Sequence, residues 1–357
     1  MLDRIEKLRA QFDNLHIDGF VVTDKFNLKY LLNFDGLQGD GCLAVSRDGQ
    51  RFVTDARYRE ELEDALPKEI ELSITRDYYD VAQQYLSSKK AQTVGFETTV
   101  SFELYNQLLQ LFGKQLKPEK MVVEKLRHNR DDGEIHRLRQ STELASQAFP
   151  ELLKHVEPGM TELQVANWLN NWMLQHGAQK PSFDTIVASG YRSALPHGFA
   201  TDKEINRNEM ITVDFGFYVN DYTSDMTRTF SIGDPGEELR HVYNVVHEAQ
   251  DRMFRAIKPG ANGKAVDAAG RDYIAAQGYG DFYNHGSGHG IGLDIHETPN
   301  FGPRYESNVL QARNVMTVEP GVYLPNKGGV RIEDDLLVTP DGNERLTTAT
   351  RELQILS

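Results

Sequence analysis

The chain has 357 residues, a length that suits two domains or one large domain with an appendage. Its composition, 39% hydrophobic and 10% aromatic, is enough for a sizeable core, and its net charge of −14 argues against a nucleic-acid backbone or an anionic membrane as partner while leaving a basic protein open. No apolar run has signal-peptide or membrane-spanning length, so a cytoplasmic protein is expected, and the single cysteine, Cys42, excludes an internal disulfide and reads as a packed core residue.

In chain order, residues 1–15 place Ile5, Leu8 and Phe12 on one helical face. Residues 19–23 form a short apolar strand, and 43–46 and 51–54 read as two strands joined by the turn at 47–50. Helical spacing returns at 58–66, 81–89 and 102–112, with strand-like stretches at 69–75 and 93–96. This alternation predicts an α/β domain with a mixed sheet over residues 1–125, without a catalytic motif of its own. The charged run 124–133 reads as a solvated linker leading into a helix, which leaves 126–357 as a second domain.

Within that second domain, Ile135, Leu138, Thr142, Ala145, Phe149, Leu152 and Val156 mark one face of a long helix, with a kink expected at Pro150. Pro158-Gly159 then precedes a helix with a capping box at Thr161 and Gln164, closed by Gly177. Pro259-Gly260 precedes another helix that Gly278 closes. Val213-Asp214-Phe215-Gly216-Phe217-Tyr218 is echoed by Val318-Glu319-Pro320-Gly321-Val322-Tyr323. Helices followed by a hairpin, twice over, predict an α+β domain with pseudo-twofold symmetry in which side chains from both halves converge on the axis.

The chemistry concentrates in those hairpins. Asp214 and Asp225 flank a turn near Val219-Asn220, and the parity of their numbers lets them face each other and point the same way. Glu319 and Glu333 bracket a second turn at 325–329, where an odd-length loop centred on Asn326 sets them opposite. Between the hairpins lies His285-Gly286-Ser287-Gly288-His289-Gly290, which lacks the Gly-Lys-Ser/Thr of a P-loop but offers at least one imidazole. Four carboxylates and an imidazole make a hard, oxygen-rich set that suits Mn²⁺, with Co²⁺, Zn²⁺ or Fe²⁺ as alternatives. Two ions balance four carboxylates where one would leave the site anionic, and a bridging hydroxide between them is a nucleophile near neutral pH.

These stretches resemble the pita-bread dinuclear metallopeptidases, and within them the proline-specific branch of Xaa-Pro aminopeptidases and Xaa-Pro dipeptidases (prolidases). The likeness is carried by Ser182-Phe183-Asp184-Thr185-Ile186-Val187-Ala188-Ser189-Gly190, Leu195-Pro196-His197-Gly198, the first hairpin, His289-Gly290-Ile291-Gly292 with His296-Glu297, Val318-Glu319-Pro320-Gly321 and Val330-Arg331-Ile332-Glu333-Asp334. The resemblance implies a creatinase-like N-terminal domain, and metal ligation by Asp214, Asp225, His289, Glu319 and Glu333, with Asp225 and Glu333 bridging. It implies that His197 and His296 meet the scissile carbonyl and the developing oxyanion, that Arg331 steadies a ligand carboxylate or the substrate, and that Glu319 shuttles a proton. His285 and Thr227 are supporting residues on the same grounds. It further implies a homodimer acting on short proline-containing peptides.

Rival readings stay in view. Asp221 and Asp335 read as turn or surface acids, and His285 as a hydrogen-bonded structural residue. The aminopeptidase reading, a metal-bridging hydroxide cutting the N-terminal Xaa-Pro bond, is set against a prolidase confined to dipeptides. A metal-free module that binds basic proteins on the same fold is the reading from another class. A methionine aminopeptidase fits the N-terminal domain and the Leu-Pro-His-Gly stretch less well.

Overall fold

The computed structural model describes residues 1–357, which separate into two compact units, Met1–Arg127 and His128–Ser357. In the first unit a six-stranded sheet runs, edge to edge, Ile70–Ile74, Gln50–Thr54, Gly41–Ser46, Gly19–Val22, Val94–Glu97 and Leu116–Glu119. Gly41–Ser46 pairs antiparallel with both of its neighbours and the other three contacts are parallel, so the sheet is mixed as expected. Gly19–Val22 and Gly41–Ser46 are buried at every position, the pattern of strands covered on both faces. Cys42 is wholly buried in the core with Val21, Val53 and Leu86.

Three elements of this unit have no counterpart in the sequence reading. The helix Lys25–Leu32 is capped by Asp24, which accepts from the Phe26 and Asn27 amides. The strand Leu116–Glu119 carries Pro118, which counts against a strand in sequence but is tolerated at a sheet edge. The helix Val122–Arg127 falls where a linker was expected.

The run 124–133 is in fact no solvated linker. Arg127 and Arg130 are 3% and 1% exposed. Arg127 donates to Asn27 Oδ1 at 2.8 Å. Arg130 donates to Ile291 O at 2.9 Å and pairs with Glu297. Asp131 caps the next helix in a capping box with Glu134. Each buried guanidinium has a partner, which is the condition for taking such a charge out of water.

The second unit repeats one arrangement. Helix Asp132–His155 continues through Pro150 and is followed by helix Glu162–Gln175 and the antiparallel pair Glu209–Phe215 and Met226–Ile232. Helix Glu237–Ala256 is followed by helix Gly263–Ala276 and the antiparallel pair Val315–Val318 and Asp334–Val338. Thr161 and Gln164 form the expected capping box, and Gly177 and Gly278 follow the two shorter helices with φ of 105° and 88°, values that favour glycine. A further echo appears in the backbone. Gly159 N donates to Ile205 O at 2.9 Å and Ile205 N to Met160 O at 2.8 Å, while Gly260 N donates to Leu310 O at 2.9 Å and Leu310 N to Ala261 O at 2.8 Å.

Each helix pair lays its apolar face on its own hairpin. Phe149, Leu152 and Leu169 pack with Val213, Phe215 and Phe230, and Met253, Ile257 and Val266 pack with Met316, Val318 and Leu336. All twelve are at most 2% exposed, so each adds on the order of 1.5–3 kcal/mol by burial. The two hairpins are then sewn together. Thr229 Oγ1 donates to Arg331 O at 2.9 Å, Glu333 N donates to Thr227 O at 3.1 Å, and Arg228 donates to Glu333 O at 2.6 Å and to Asp334 at 2.6 Å. No helix is long and apolar enough to cross a membrane.

Candidate metal centre

In the first hairpin Asp214 pairs with Thr227 and Phe215 with Met226, a register that continues to Tyr218 opposite Thr223. Asp214 and Asp225 therefore share a face but stand diagonally, rather than directly opposite as parity alone allowed. The turn residues Asn220 and Asp221, with φ of 50° and 70°, fix that offset. The strands part at Gly216, where a Cβ would lie 2.0 Å from Ser224 O. In the second hairpin Gly321 pairs with Arg331 and Val318 with Asp334, one register that sets Glu319 opposite Glu333 in the gap between. Its loop is centred on Asn326 with φ of 62°, as the spacing requires.

The four carboxylates, Arg331, and the imidazoles of His197, His285, His289 and His296 line one cavity of about 430 Å³. Within it, ligand atoms of Asp225, His289 and Glu333 lie within 4.8 Å of one another. Glu319 and Asp214 flank this trio. Glu319 Oε1 is 3.8 Å from His289 Nε2, and Asp214 Oδ2 is 2.7 Å from Arg331 Nη2. His289 stands on the short strand Gly288–Gly290, held by the hydrogen bond its backbone N–H donates to Thr317 Oγ1 at 3.0 Å. Gly288 is required there, since a Cβ would meet Thr317 O at 2.1 Å.

Electrostatics single this cluster out. Burial, then repulsion from Glu333 and Asp214, raises Asp225 well above the usual carboxylate range. Burial, then Glu319 and Asp214, does the same to Glu333. Burial pushes Glu319 up to about 8. His289 is lowered to about 4 by burial and by His296, whose ring centroid is 4.5 Å away. His289 Nδ1 faces Gly290 O at 3.1 Å, and Nε2 lies 3.5 Å from Asp225 Oδ2 and 3.8 Å from Glu319 Oε1; in the tautomer protonated on Nδ1, the Nε2 lone pair faces these carboxylates. A lone pair aimed at carboxylates repels them unless a cation lies between. Asp214 Oδ1 is buried without a hydrogen-bond partner. The donor set therefore fits divalent cations.

The surroundings hold these groups in place. Arg331 donates to Tyr323 OH at 2.9 Å, and Tyr323 OH is 2.8 Å from His285 Nε2, while His285 Nδ1 faces Gly286 O at 2.6 Å. Burial, then Arg331, lowers His285 to about 4, consistent with a neutral ring protonated on Nδ1. Sequence reasoning missed Tyr323, although the echo of Tyr218 marked it. It also misread Asp335, which is no surface acid. Asp335 is wholly buried and accepts from the Asp225 amide at 3.0 Å. Strand alternation puts Glu333 and Asp335 on one face, a signal hidden by the run of three acids. Asp221, by contrast, lies in the turn as read.

Comparison with known proteins divides the chain at the same place. The model of metallopeptidase family M24 matches residues 136–340, and that of the creatinase/prolidase N-terminal domain matches residues 4–128. An Xaa-Pro dipeptidase of Pyrococcus furiosus is 36% identical over 354 residues, 99% of this chain and 100% of the relative. Among solved structures, an Xaa-Pro dipeptidase from Bacillus anthracis matches with a TM-score of 0.94 at 41% identity, over 99% of each chain. An X-Pro aminopeptidase from Thermotoga maritima matches with a TM-score of 0.86 at 36% identity, over 97% of this chain and all of the other. Two half-domains that meet in one carboxylate-and-imidazole cluster are the pita-bread fold, and with it this chain belongs to metallopeptidase family M24 as a metallo-exopeptidase.

Proposed function

We propose that the chain hydrolyses the bond between an N-terminal residue and a following proline. The observation that carries this is the approach of His289 Nε2 to Asp225 and Glu319, at 3.5 and 3.8 Å, in a cavity that His197 and His296 also line. The Xaa-Pro names of similar proteins supply the proline specificity. Asp214, Asp225, His289, Glu319 and Glu333 would hold two divalent ions, Mn²⁺ favoured by the oxygen-rich set, with Co²⁺, Zn²⁺ or Fe²⁺ as alternatives. When bound, such ions polarise a carbonyl and make water acidic enough to serve as a nucleophile near neutral pH.

The chain's own residues do the rest. His197 and His296 donate to the scissile carbonyl oxygen, and these bonds strengthen as negative charge develops there. Arg331 fixes Asp214 through its 2.7 Å ion pair. Glu319 carries a proton to the proline nitrogen, which as a tertiary amide has no hydrogen of its own when the C–N bond breaks. A homodimer acting on short peptides belongs to the same reading and rests on the family resemblance.

A dipeptide-only activity is the second reading, favoured by the names of the Pyrococcus and Bacillus relatives. The first test is a panel of Ala-Pro, Ala-Pro-Ala and Ala-Ala-Ala with added Mn²⁺. Cleavage confined to the proline peptides is expected. Equal cleavage of Ala-Ala-Ala would contradict the reading.

A further inference from the structure

Each half of the second unit buries a carboxylate on its shorter helix, and each of these acids grips a loop that carries histidines of the cavity. We infer that Glu162 and Asp267 are positioning residues with divided tasks: Glu162 sets His197 against the substrate, and Asp267 sets His289 and Glu319 for the metal ions. The part given to His197 rests on the Xaa-Pro reading. Glu162 opens the helix Glu162–Gln175, Asp267 lies on the helix Gly263–Ala276, and both are buried. Neither lines the cavity. Five donors converge on Glu162, all from the segment that holds His197. Ser189 gives its N–H at 2.8 Å and its hydroxyl at 2.9 Å to one oxygen, and Thr201 gives its N–H at 3.1 Å and its hydroxyl at 2.8 Å to the other. Both ends of the loop 189–201 are thus fixed to one side chain. Arg192 Nε donates to the same carboxylate at 3.0 Å, and its Nη2 donates to Phe199 O at 2.6 Å, two residues past His197.

Asp267 does the same for the other half. Arg271 clasps it with Nε at 2.7 Å and Nη2 at 2.8 Å, and donates onward to Tyr283 O at 2.9 Å and His285 O at 2.6 Å. The Ser287 hydroxyl donates to Asp267, and Ser287 O accepts from the Glu319 N–H at 2.9 Å. His289 follows two residues on. One acid therefore anchors the loop that presents His289 and, through Ser287, the backbone of Glu319. The two networks share no residue, so each can be cut separately. An amide of the same shape puts an NH₂, which only donates, where an oxygen accepted. In Glu162→Gln that group must face the donors of Ser189 or of Thr201, and in Asp267→Asn it must face the guanidinium, because both oxygens of Asp267 accept from Arg271.

The test uses the full chain, chelated and then titrated with Mn²⁺ by calorimetry, and steady-state kinetics on Ala-Pro-Ala at saturating Mn²⁺. Glu162→Gln is expected to lower kcat by about 10²-fold, as for a reacting group displaced by about 1 Å, and to leave KM and Mn²⁺ affinity as in the native chain. Asp267→Asn is expected to weaken Mn²⁺ affinity by about 10–100-fold, as for groups that orient metal ligands, and to regain most of its kcat once saturated with Mn²⁺. Arg192→Met and Ser287→Ala each cut one strut and leave the acid in place, so they carry the same test should an acid variant fail to fold by circular dichroism. Weakened Mn²⁺ affinity in the Glu162 and Arg192 variants, or native affinity in the Asp267 and Ser287 variants, would overturn the division of tasks. A lowered melting temperature with native kcat and native affinity would reduce both acids to packing. A native chain that takes up Mn²⁺ and cleaves no proline peptide would overturn the Xaa-Pro reading and the part of His197 with it, while the affinities still decide Asp267.

Discussion

Thr227 Oγ1 donates to Glu333 Oε2 at 2.6 Å, and the Glu333 amide donates back to Thr227 O at 3.1 Å. This reciprocal pair crosses from one hairpin to the other. Thr227 lies opposite Asp214 in its own hairpin, and its hydroxyl also accepts from Arg331, which holds Asp214. One side chain thus sets the two halves of the cluster against each other.

Removing that hydroxyl while keeping the shape should loosen metal binding without unfolding the chain. Thr227→Val is expected to weaken Mn²⁺ affinity by about 10–100-fold, in the range seen for groups that orient metal ligands. Thr227→Ser should restore most of it. Isothermal titration of the chelated proteins checks this, and equal affinities in all three would contradict the role.

The metal-free protein should lose stability as pH rises from about 6.5 to 8. Asp225 and Glu333 are held well above the ordinary carboxylate range by burial and mutual repulsion, and Glu319 is pushed up to about 8. A carboxyl with a raised pKa binds more protons folded than unfolded, so its contribution is complete at low pH and disappears as pH rises through the folded value. His285 and His289, lowered to about 4, act in the opposite sense only below their unfolded pKa of about 6.5. Melting curves in EDTA should therefore fall across this window, and saturating Mn²⁺ should flatten them. A chelated Tm that climbs with pH would be inconsistent with the buried acids.

His296→Ala should lower kcat by about 10²-fold with little change in KM, because its bond to the substrate oxygen strengthens as the oxyanion forms. Steady-state kinetics on Ala-Pro-Ala separate the two constants. An effect on KM alone would point to ground-state binding instead.

Arg130→Ala should destabilise the protein by about 3–5 kcal/mol, since it breaks the buried ion pair with Glu297 by removing one partner. Denaturant unfolding checks this. A cost below about 1 kcal/mol would show that the pair is solvated.

The second hairpin was legible from spacing alone, because Glu319 and Glu333 are equidistant from Asn326 and the register is unbroken on either side. The first was less so. Parity fixes which face Asp214 and Asp225 share, but the two-residue offset depends on a turn at Asn220-Asp221, one place beyond the expected one. The two shorter helices declared themselves through the Pro-Gly pairs before them and their closing glycines, and the first also through its capping box. Arg127, Arg130 and Asp335 were hidden for a common reason. Charged residues in charged runs read as solvated, and only the tertiary partners Asn27, Glu297 and the Asp225 amide explain their burial.

The most direct measurement is Mn²⁺ titration of the chelated full chain by calorimetry, with hydrolysis of Ala-Pro-Ala followed in the same samples. Two ions per chain and turnover that appears with them are expected, both lost in Asp225→Ala and Glu333→Ala while circular dichroism stays unchanged. A native chain that takes up no ion, or variants that hydrolyse the peptide at the native rate, would contradict the assignment of these carboxylates as metal ligands.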